Sequence, residues 1–310
     1  MGGEEAQGLI QKRTWTHAEL EQASELLEVC NAYEGLNVKL AIIMLRTRSG
    51  REINDFLYYA GGKLVGLLTL DSIGSKDKEV MAMVHPDYRR QGIATSLLAA
   101  ARAEARQRGI ERFILACERF SRSGQAFIAA LGAQYDYSEH KMVLTALRTR
   151  EDYTERLSLR RATEADIEDL ARIISACFGQ TQEGARRHVA ESMHDPFNQF
   201  FIMQYPPSRE TSNRPGGFAP GGTAVGCLNL FIDDREYGIY TFGILPQYRR
   251  RGFGRQMLEQ LIKDIQANNE SSKRRIALDV ESENRPAISL YRSCGFQEIT
   301  TYGYYNLDLV

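Results

Sequence analysis

The sequence is poor in the residues that build metal centres and disulfide scaffolds. Its five cysteines, Cys30, Cys117, Cys177, Cys227 and Cys294, are odd in number and far apart, and none forms a CxxC pair. This excludes a disulfide framework and points to reduced thiols in a cytosolic protein. Of five histidines, only His188 and His194 lie close together, six positions apart. A zinc pair on one helix face needs a spacing of about four, so no metal is expected. There is no apolar run of the roughly 18 residues that a membrane span requires. The opening stretch MGGEEAQGLIQKR has no apolar signal core, which leads to the expectation of a cytoplasmic protein with no membrane partner. Neither sign of charge prevails: 39 Lys and Arg stand against 40 Asp and Glu, a net charge of −1. That argues against nucleic acid as a partner, although it leaves room for a local basic patch. Neither GxxxxGK[ST] nor GxGxxG occurs, which excludes a P-loop and a dinucleotide fingerprint.

What the chain does contain is a repeat. Residues 86–94 read PDYRRQGIA and residues 246–254 read PQYRRRGFG, in register at an offset of 160. In 310 residues this predicts two domains of one fold. Each copy follows a strand-like segment, EVMAMVH or YGIYTFGIL. Each opens a helical pattern: Ile93, Leu97, Leu98, Ala101 and Ala105 in the first, Phe253, Met257, Leu258, Leu261, Ile262 and Ile265 in the second. A strand (112–117, 275–280), a helix and a closing Gly plus apolar pair follow, Gly132-Ala133 and Gly295-Phe296. Upstream, a strand at 9–14 leads to a capping box at Thr16 and Glu19, and a strand at 156–162 leads to one at Thr163 and Asp166. The domains are expected at 1–148 and 156–310, with the charged stretch 147–155 as linker. The Pro/Gly/Ser-rich stretch 205–222 reads as a long loop inside the second domain.

The repeated turn suits an anion. At a helix start several backbone N–H groups lack helical partners, and the helix dipole adds partial positive charge. Gly252 and Gly254 carry no Cβ, so an anion can come close, and Arg249, Arg250 and Arg251 add full charges. These are the ingredients of a diphosphate cradle. A solvated basic helix start is the plainer alternative.

Arg249-x-x-Gly252-x-Gly254 after a strand, followed by Asn284-Arg-Pro-Ala287-Ile-Ser-Leu-Tyr291-Arg-Ser-Cys-Gly295-Phe296, resembles the GNAT superfamily of N-acetyltransferases. The first half carries Arg89-x-x-Gly92-x-Ala94, but its second part is eroded. The resemblance implies two tandem GNAT domains of α/β class, each a mostly antiparallel twisted mixed sheet flanked by helices. It implies acetyl-CoA as co-substrate and no metal. The main chain at Ile244 and Leu245 would hold the pantetheine arm and stabilise an oxyanion. The amides of Arg250, Arg251, Gly252, Phe253, Gly254 and Arg255 would hold the diphosphate, with Arg249 leading the turn. Asn284 would reach the pantetheine side. The matching positions of the first copy are Val84, Arg89, Arg90, Gln91, Gly92, Ile93 and Ala94.

Tyr291 is the candidate general acid. A phenol with a pKa of about 10 holds its proton at neutral pH and can pass it to a thiolate. Glu281, which shares a strand face with Asp279, is the candidate base if burial raises its pKa; Glu236, Asp234 and ordered water compete. In the first copy Ile128 falls where Tyr291 stands, Ser121 replaces Asn284 and Gly124 replaces Ala287. That copy is expected to be catalytically degenerate; substitution of the acid by Tyr135 or Tyr137 is the alternative. The expected acceptor is a primary amine of a small molecule, and the protein a monomer or homodimer. The closing motif looks closer to self-resistance enzymes that acetylate peptide antibiotics such as paenilamicin and zwittermicin than to mycothiol synthase. An inter-domain cleft bearing Asp233, Asp234 and Glu236 would suit a cationic substrate. A non-catalytic CoA-binding sensor and a protein N-acetyltransferase are the alternatives.

Overall fold

The computed structural model describes residues 6–72, 76–155, 157–205, 222–268 and 274–309. Nearly all of the loop expected at 205–222 therefore lies outside the described residues. The chain divides into two compact units: Met1–His140 with Thr300–Val310, and Lys141–Ile299.

Unit 1 opens with β1 (Gly8–Lys12), α1 (His17–Glu34), the short α2 (Ile42–Arg46), β2 (Asp55–Ala60), β3 (Lys63–Ser72) and β4 (Asp77–Val84). After these come α3 (Ile93–Gln107), β5 (Arg112–Glu118), α4 (Arg122–Leu131) and β6 (Gln134–Leu144). Strands β1 to β4 pair antiparallel in chain order, and β4 pairs parallel with β5. The parallel step follows from the crossover helix α3, which returns the chain to its starting end. The capping box of α1 is present: the Thr16 N–H donates to Glu19 at 2.8 Å and the Glu19 N–H to the Thr16 hydroxyl at 3.3 Å. Strand β3 is buried continuously from Leu64 to Leu70 because helices cover both faces of its sheet. Leu97, Phe113 and Ile128 belong to one core; Leu20, Leu26 and Leu57 belong to the other.

Unit 2 contains β7 (Ser158–Arg161), α5 (Ile167–Phe178), α6 (Gln182–Ser192), β8 (Asn198–Tyr205), β9 (Thr223–Ile232) and β10 (Glu236–Ile244). It continues with α7 (Phe253–Asn268), β11 (Arg275–Glu281), α8 (Arg285–Cys294) and β12 (Phe296–Asp308), whose last residues lie in unit 1. The pairing pattern repeats, antiparallel from β7 to β10 and parallel between β10 and β11. Helix α7 buries the expected Phe253, Met257, Leu258, Leu261, Ile262 and Ile265. Each unit thus has the expected mixed, mostly antiparallel sheet with helices on both faces.

The units are not the consecutive segments 1–148 and 156–310. The chain leaves unit 1 inside β6 and returns inside β12. Residues Tyr302–Asp308 pair antiparallel with Glu118–Arg112 of β5, and Leu307 and Leu309 enter the core of unit 1. Met142 of β6 enters the core of unit 2. The physical reason is strand length: β6 has 11 residues and β12 has 13, enough for each to contribute to both units in turn. Nor is 147–155 a free linker, since Arg148 N–H bonds the Cys294 carbonyl at 3.0 Å and Arg150 N–H bonds Glu259 at 3.1 Å. Among the described residues no helix is long and apolar enough to cross a membrane.

Candidate active site

Strands β10 and β11 pair only from Glu236 with Arg275 to Ile239 with Leu278. Beyond that point β10 runs on to Ile244 and β11 to Glu281, and a gap opens between them. The β9–β10 ladder shifts register between Tyr240 and Gly243, and Thr241 has a φ of 50°. A threonine in the left-handed region is strained, and a bulge bends its strand and re-aims the residues after it. The Leu245 N–H donates to the Val225 carbonyl at 2.9 Å. Successive residues of an antiparallel strand face opposite ways, so the Ile244 N–H points away from β9 and into the gap. Of the two amides expected to serve the cofactor, Leu245 is therefore committed to the sheet and Ile244 faces the opening. The Ile244 carbonyl accepts Arg249 Nε at 2.9 Å and the Cys177 thiol at 3.4 Å.

At the end of β10 lies the repeated turn. Arg250 and Gly252 have φ values of 62° and 80°, and their counterparts Arg90 and Gly92 have 63° and 81°. Left-handed residues in such a turn gather successive N–H groups into an anion-binding concavity at the start of a helix. The side chains depart from the expected cradle. Arg251 binds Glu155 at 2.6 Å and lies over the rings of Tyr205, Tyr248 and Phe253 at 5.5, 5.8 and 4.8 Å. Arg255 bonds the Arg148 carbonyl at 3.0 Å, Glu259 at 3.1 Å and Ser293 Oγ at 2.6 Å. Phe253 is 1% exposed and belongs to the core. These residues offer backbone amides and little else, while Arg250 is exposed at the turn. Gly252 is required by its φ. Gly254 sits in tight packing, since a Cβ there would lie 3.2 Å from Leu290 and 3.4 Å from Phe242 and press on both side chains.

On the other side of the gap, Asn284 caps α8, and its Oδ1 accepts the Ala287 N–H at 3.3 Å. Among the described residues, its NH2 group is what remains for a ligand. Tyr291 is 6% exposed, with its ring 6.0 Å from Phe242 of β10 and 6.1 Å from Phe296. Burial, with Cys294 adding to it, pushes its phenol well above the usual range. Of the candidate bases, Glu281 is exposed, so the burial that its role called for is not present. Glu236 is buried and taken: Lys141 Nζ lies 3.1 Å away and Arg275 Nε 3.2 Å. Lys141 also holds Asp279, at 3.1 Å. Asp233 accepts the N–H groups of Arg235 and Glu236 at 2.7 and 2.6 Å. Two of the acids expected to attract a cation are thus already engaged.

A parted strand pair, an outward amide and an anion-binding turn are properties of a fold as well as of a site. The family model described as "Acetyltransferase (GNAT) family" matches this chain twice, over residues 20–133 and 168–296. The chain belongs to the GNAT acetyltransferase family. It is an acyltransferase with two GNAT units in tandem. Mycothiol acetyltransferase of Mycobacterium marinum is 27% identical over 76% of this chain and 76% of its own. N-alpha-acetyltransferase RimI of Mycobacterium tuberculosis is 34% identical, but over only 27% of this chain and 51% of its own length. This chain thus spans about half the length of that shorter relative. Among solved structures, a GCN5-related N-acetyltransferase from Sphaerobacter thermophilus aligns with a TM-score of 0.75 at 17% identity, over 97% of this chain and 96% of its own. A tandem GNAT protein from the clavulanic acid biosynthesis pathway aligns with 0.71 at 15%, over 97% and 98%.

The two GNAT units differ where the chemistry would be. In unit 1, β4 pairs with β3 in unbroken register from Lys78 to Val84, without the bulge of β10. Ile128, at the position of Tyr291, lies in the apolar core. Gln91 turns back to the Asp87 carbonyl at 3.3 Å, and Ile93 is buried. Tyr135 and Tyr137 lie on β6, their rings 5.7 Å from Tyr305 and 4.5 Å from Tyr304. Sequence reading missed Thr241, Phe242 and Lys141. A left-handed threonine has no spacing signal, and the partners of Lys141 lie 95 and 138 residues away.

Proposed function

We propose that unit 2 is the catalytic half and transfers an acetyl group from acetyl-CoA to a primary amine of a small molecule. The observation that carries this reading is the parted end of β10 and β11, with the Ile244 N–H facing into it. The residues fit the chemical groups of acetyl-CoA. The amides of 250–255 suit a diphosphate, and an open strand edge suits the amides of a pantetheine arm. When bound, acetyl-CoA supplies an activated thioester. The Ile244 N–H is the donor aimed where negative charge would develop on an acyl oxygen. Tyr291 keeps its proton because burial raises its pKa, and it offers its O–H to the departing sulfur. Glu281 enters no ion pair among the described residues; it takes up the amine proton, through water given its exposure.

A small acceptor is favoured by the mycothiol acetyltransferases, which match most of both chains. Acetylation of an amine-bearing peptide antibiotic is the narrower form of the proposal. The deciding measurement is thiol release from acetyl-CoA by the full chain, over a panel of cysteinyl sugars, peptide antibiotics, aminoglycosides and polyamines. Release with at least one small amine, and its loss in Tyr291→Phe, is expected. A silent panel would overturn the reading, and acetylation confined to peptide N-termini would move it to protein acetylation.

A further inference from the structure

Helices α1 and α5 make the same contact in their units. The Cys30 thiol donates to the Val84 carbonyl at 3.5 Å, and the Cys177 thiol to the Ile244 carbonyl at 3.4 Å. From that shared point the helices diverge. Helix α5 ends at Phe178, one residue past Cys177, with Gly179 as its left-handed cap. Helix α1 runs four residues past Cys30, to Glu34, before its cap Gly35.

The added turn delivers a carboxylate to the strand gap of unit 1. Glu34 Oε1 accepts Arg89 at 2.7 Å, and Oε2 accepts the Ser121 hydroxyl at 3.0 Å. Arg89 follows β4 and bonds the Val84 carbonyl at 3.0 Å, while Ser121 follows β5 and caps α4. Glu34 therefore joins the ends of two strands whose pairing stops at Val80 and Leu115. The pair is well shielded, with side-chain exposures of 19% for Arg89 and 11% for Glu34. Burial pushes the Glu34 carboxyl up, but bonds from Ser123 and Ser121 and the Arg89 charge outweigh it and hold it below its usual range. Beside it, the buried Glu118 at the end of β5 accepts the Asn37 N–H at 2.7 Å, and the Tyr302 hydroxyl donates to the Asn37 carbonyl at 2.9 Å. In unit 2, Arg249 makes the same bond to its strand end, and no carboxylate among the described residues pairs with it.

We propose that Glu34 is a built-in strap, which closes the strand gap of unit 1 and keeps coenzyme A out although the phosphate turn below it is intact. The comparison rests on unit 2 being the coenzyme-binding half, and the experiment separates the two claims. Calorimetric titration of the full chain with coenzyme A is expected to give one equivalent for the wild type and two for Glu34→Ala. Adding Gly92→Asp to Glu34→Ala is expected to remove the gained equivalent. Glu34→Gln guards against misfolding of the alanine variant: it keeps the bulk, loses the ion pair, and is expected to open the same site at about tenfold lower affinity. Two equivalents in the wild type, one in both natively folded Glu34 variants, or a gained site untouched by Gly92→Asp would each overturn the strap. No binding by the wild type with one equivalent in Glu34→Ala would keep the strap and remove the reading of unit 2.

Discussion

Tyr291 and Lys141 are both buried, and burial alone pushes their pKa values in opposite directions. For Tyr291 nothing offsets the loss of solvent, so the phenol keeps its proton well beyond the ordinary tyrosine value of about 10. In the proposed role of acid Tyr291 therefore stays protonated over the working range, and kcat should show no alkaline fall from this group below about pH 10. Tyr291→Phe is expected to lower kcat about 100-fold while leaving coenzyme A affinity within about twofold, as read by steady-state kinetics and titration. For Lys141, burial opposes its charge, but Asp279, Tyr240 and Glu236 outweigh it and push its pKa above the usual range. A raised lysine pKa adds stability that is complete below about pH 10.4 and is lost only as pH rises through the higher folded value. Lys141→Met leaves the buried Glu236 with Arg275 but without its second cation, and is expected to cost about 1–3 kcal/mol in denaturant unfolding at pH 7. The sequence flagged Tyr291 because its neighbours form a local motif. It did not flag Lys141, whose carboxylate partners are brought to it only by folding.

At the scale of elements, helix starts and turns were legible because a few adjacent residues decide them. Thr163 and Asp166 illustrate this at the entry to α5. The Asp166 carboxylate accepts the Thr163 N–H at 2.8 Å and two bonds from Arg160, at 2.6 and 2.8 Å. Arg160 leads in pulling the Asp166 carboxyl down to about 2. A lowered pKa adds stability above the unfolded value of about 3.9, lost as pH falls toward the folded one. Asp166→Ala is expected to cost about 1–2 kcal/mol at pH 7, with the difference from wild type shrinking between about pH 4 and 2 in urea unfolding followed by circular dichroism. The bulge at Thr241 and the extra turn of α1 were not legible. Both are small changes in length or dihedral, and their meaning depends on which strand end lies next to them.

At the scale of the molecule, the exchange of strand ends governs stability. The stretch Tyr302–Asp308 covers the edge of β5, and Leu307 and Leu309 fill the core of unit 1. Burying two leucines contributes about 3–6 kcal/mol, and an unpaired edge invites aggregation. Truncation after Ile299 is therefore expected to loosen unit 1 selectively. Hydrogen exchange read by mass spectrometry should lose protection across residues 55–118 while residues 223–281 keep theirs. Equal loss in both regions would contradict the division. A fragment of residues 1–150 lacks the same stretch, so its inactivity would say little about Glu34 or Ile128.

The sequence alone determined the repeat, the turns that open α3 and α7, and the helix starts. Each depends on residues within a few positions of one another, where backbone dihedrals, caps and helical period are set by immediate neighbours. The tertiary structure decided which strand completes which unit, that Arg251 and Arg255 turn away from the anion site, that Ile244 rather than Leu245 faces the gap, and that Glu34 crosses the matching gap in unit 1. Each of these depends on groups tens to hundreds of residues apart, for which a single sequence carries no spacing rule. Two turns with the same backbone thus stand beside an open strand gap in one unit and beside one crossed by the Glu34–Arg89 pair in the other.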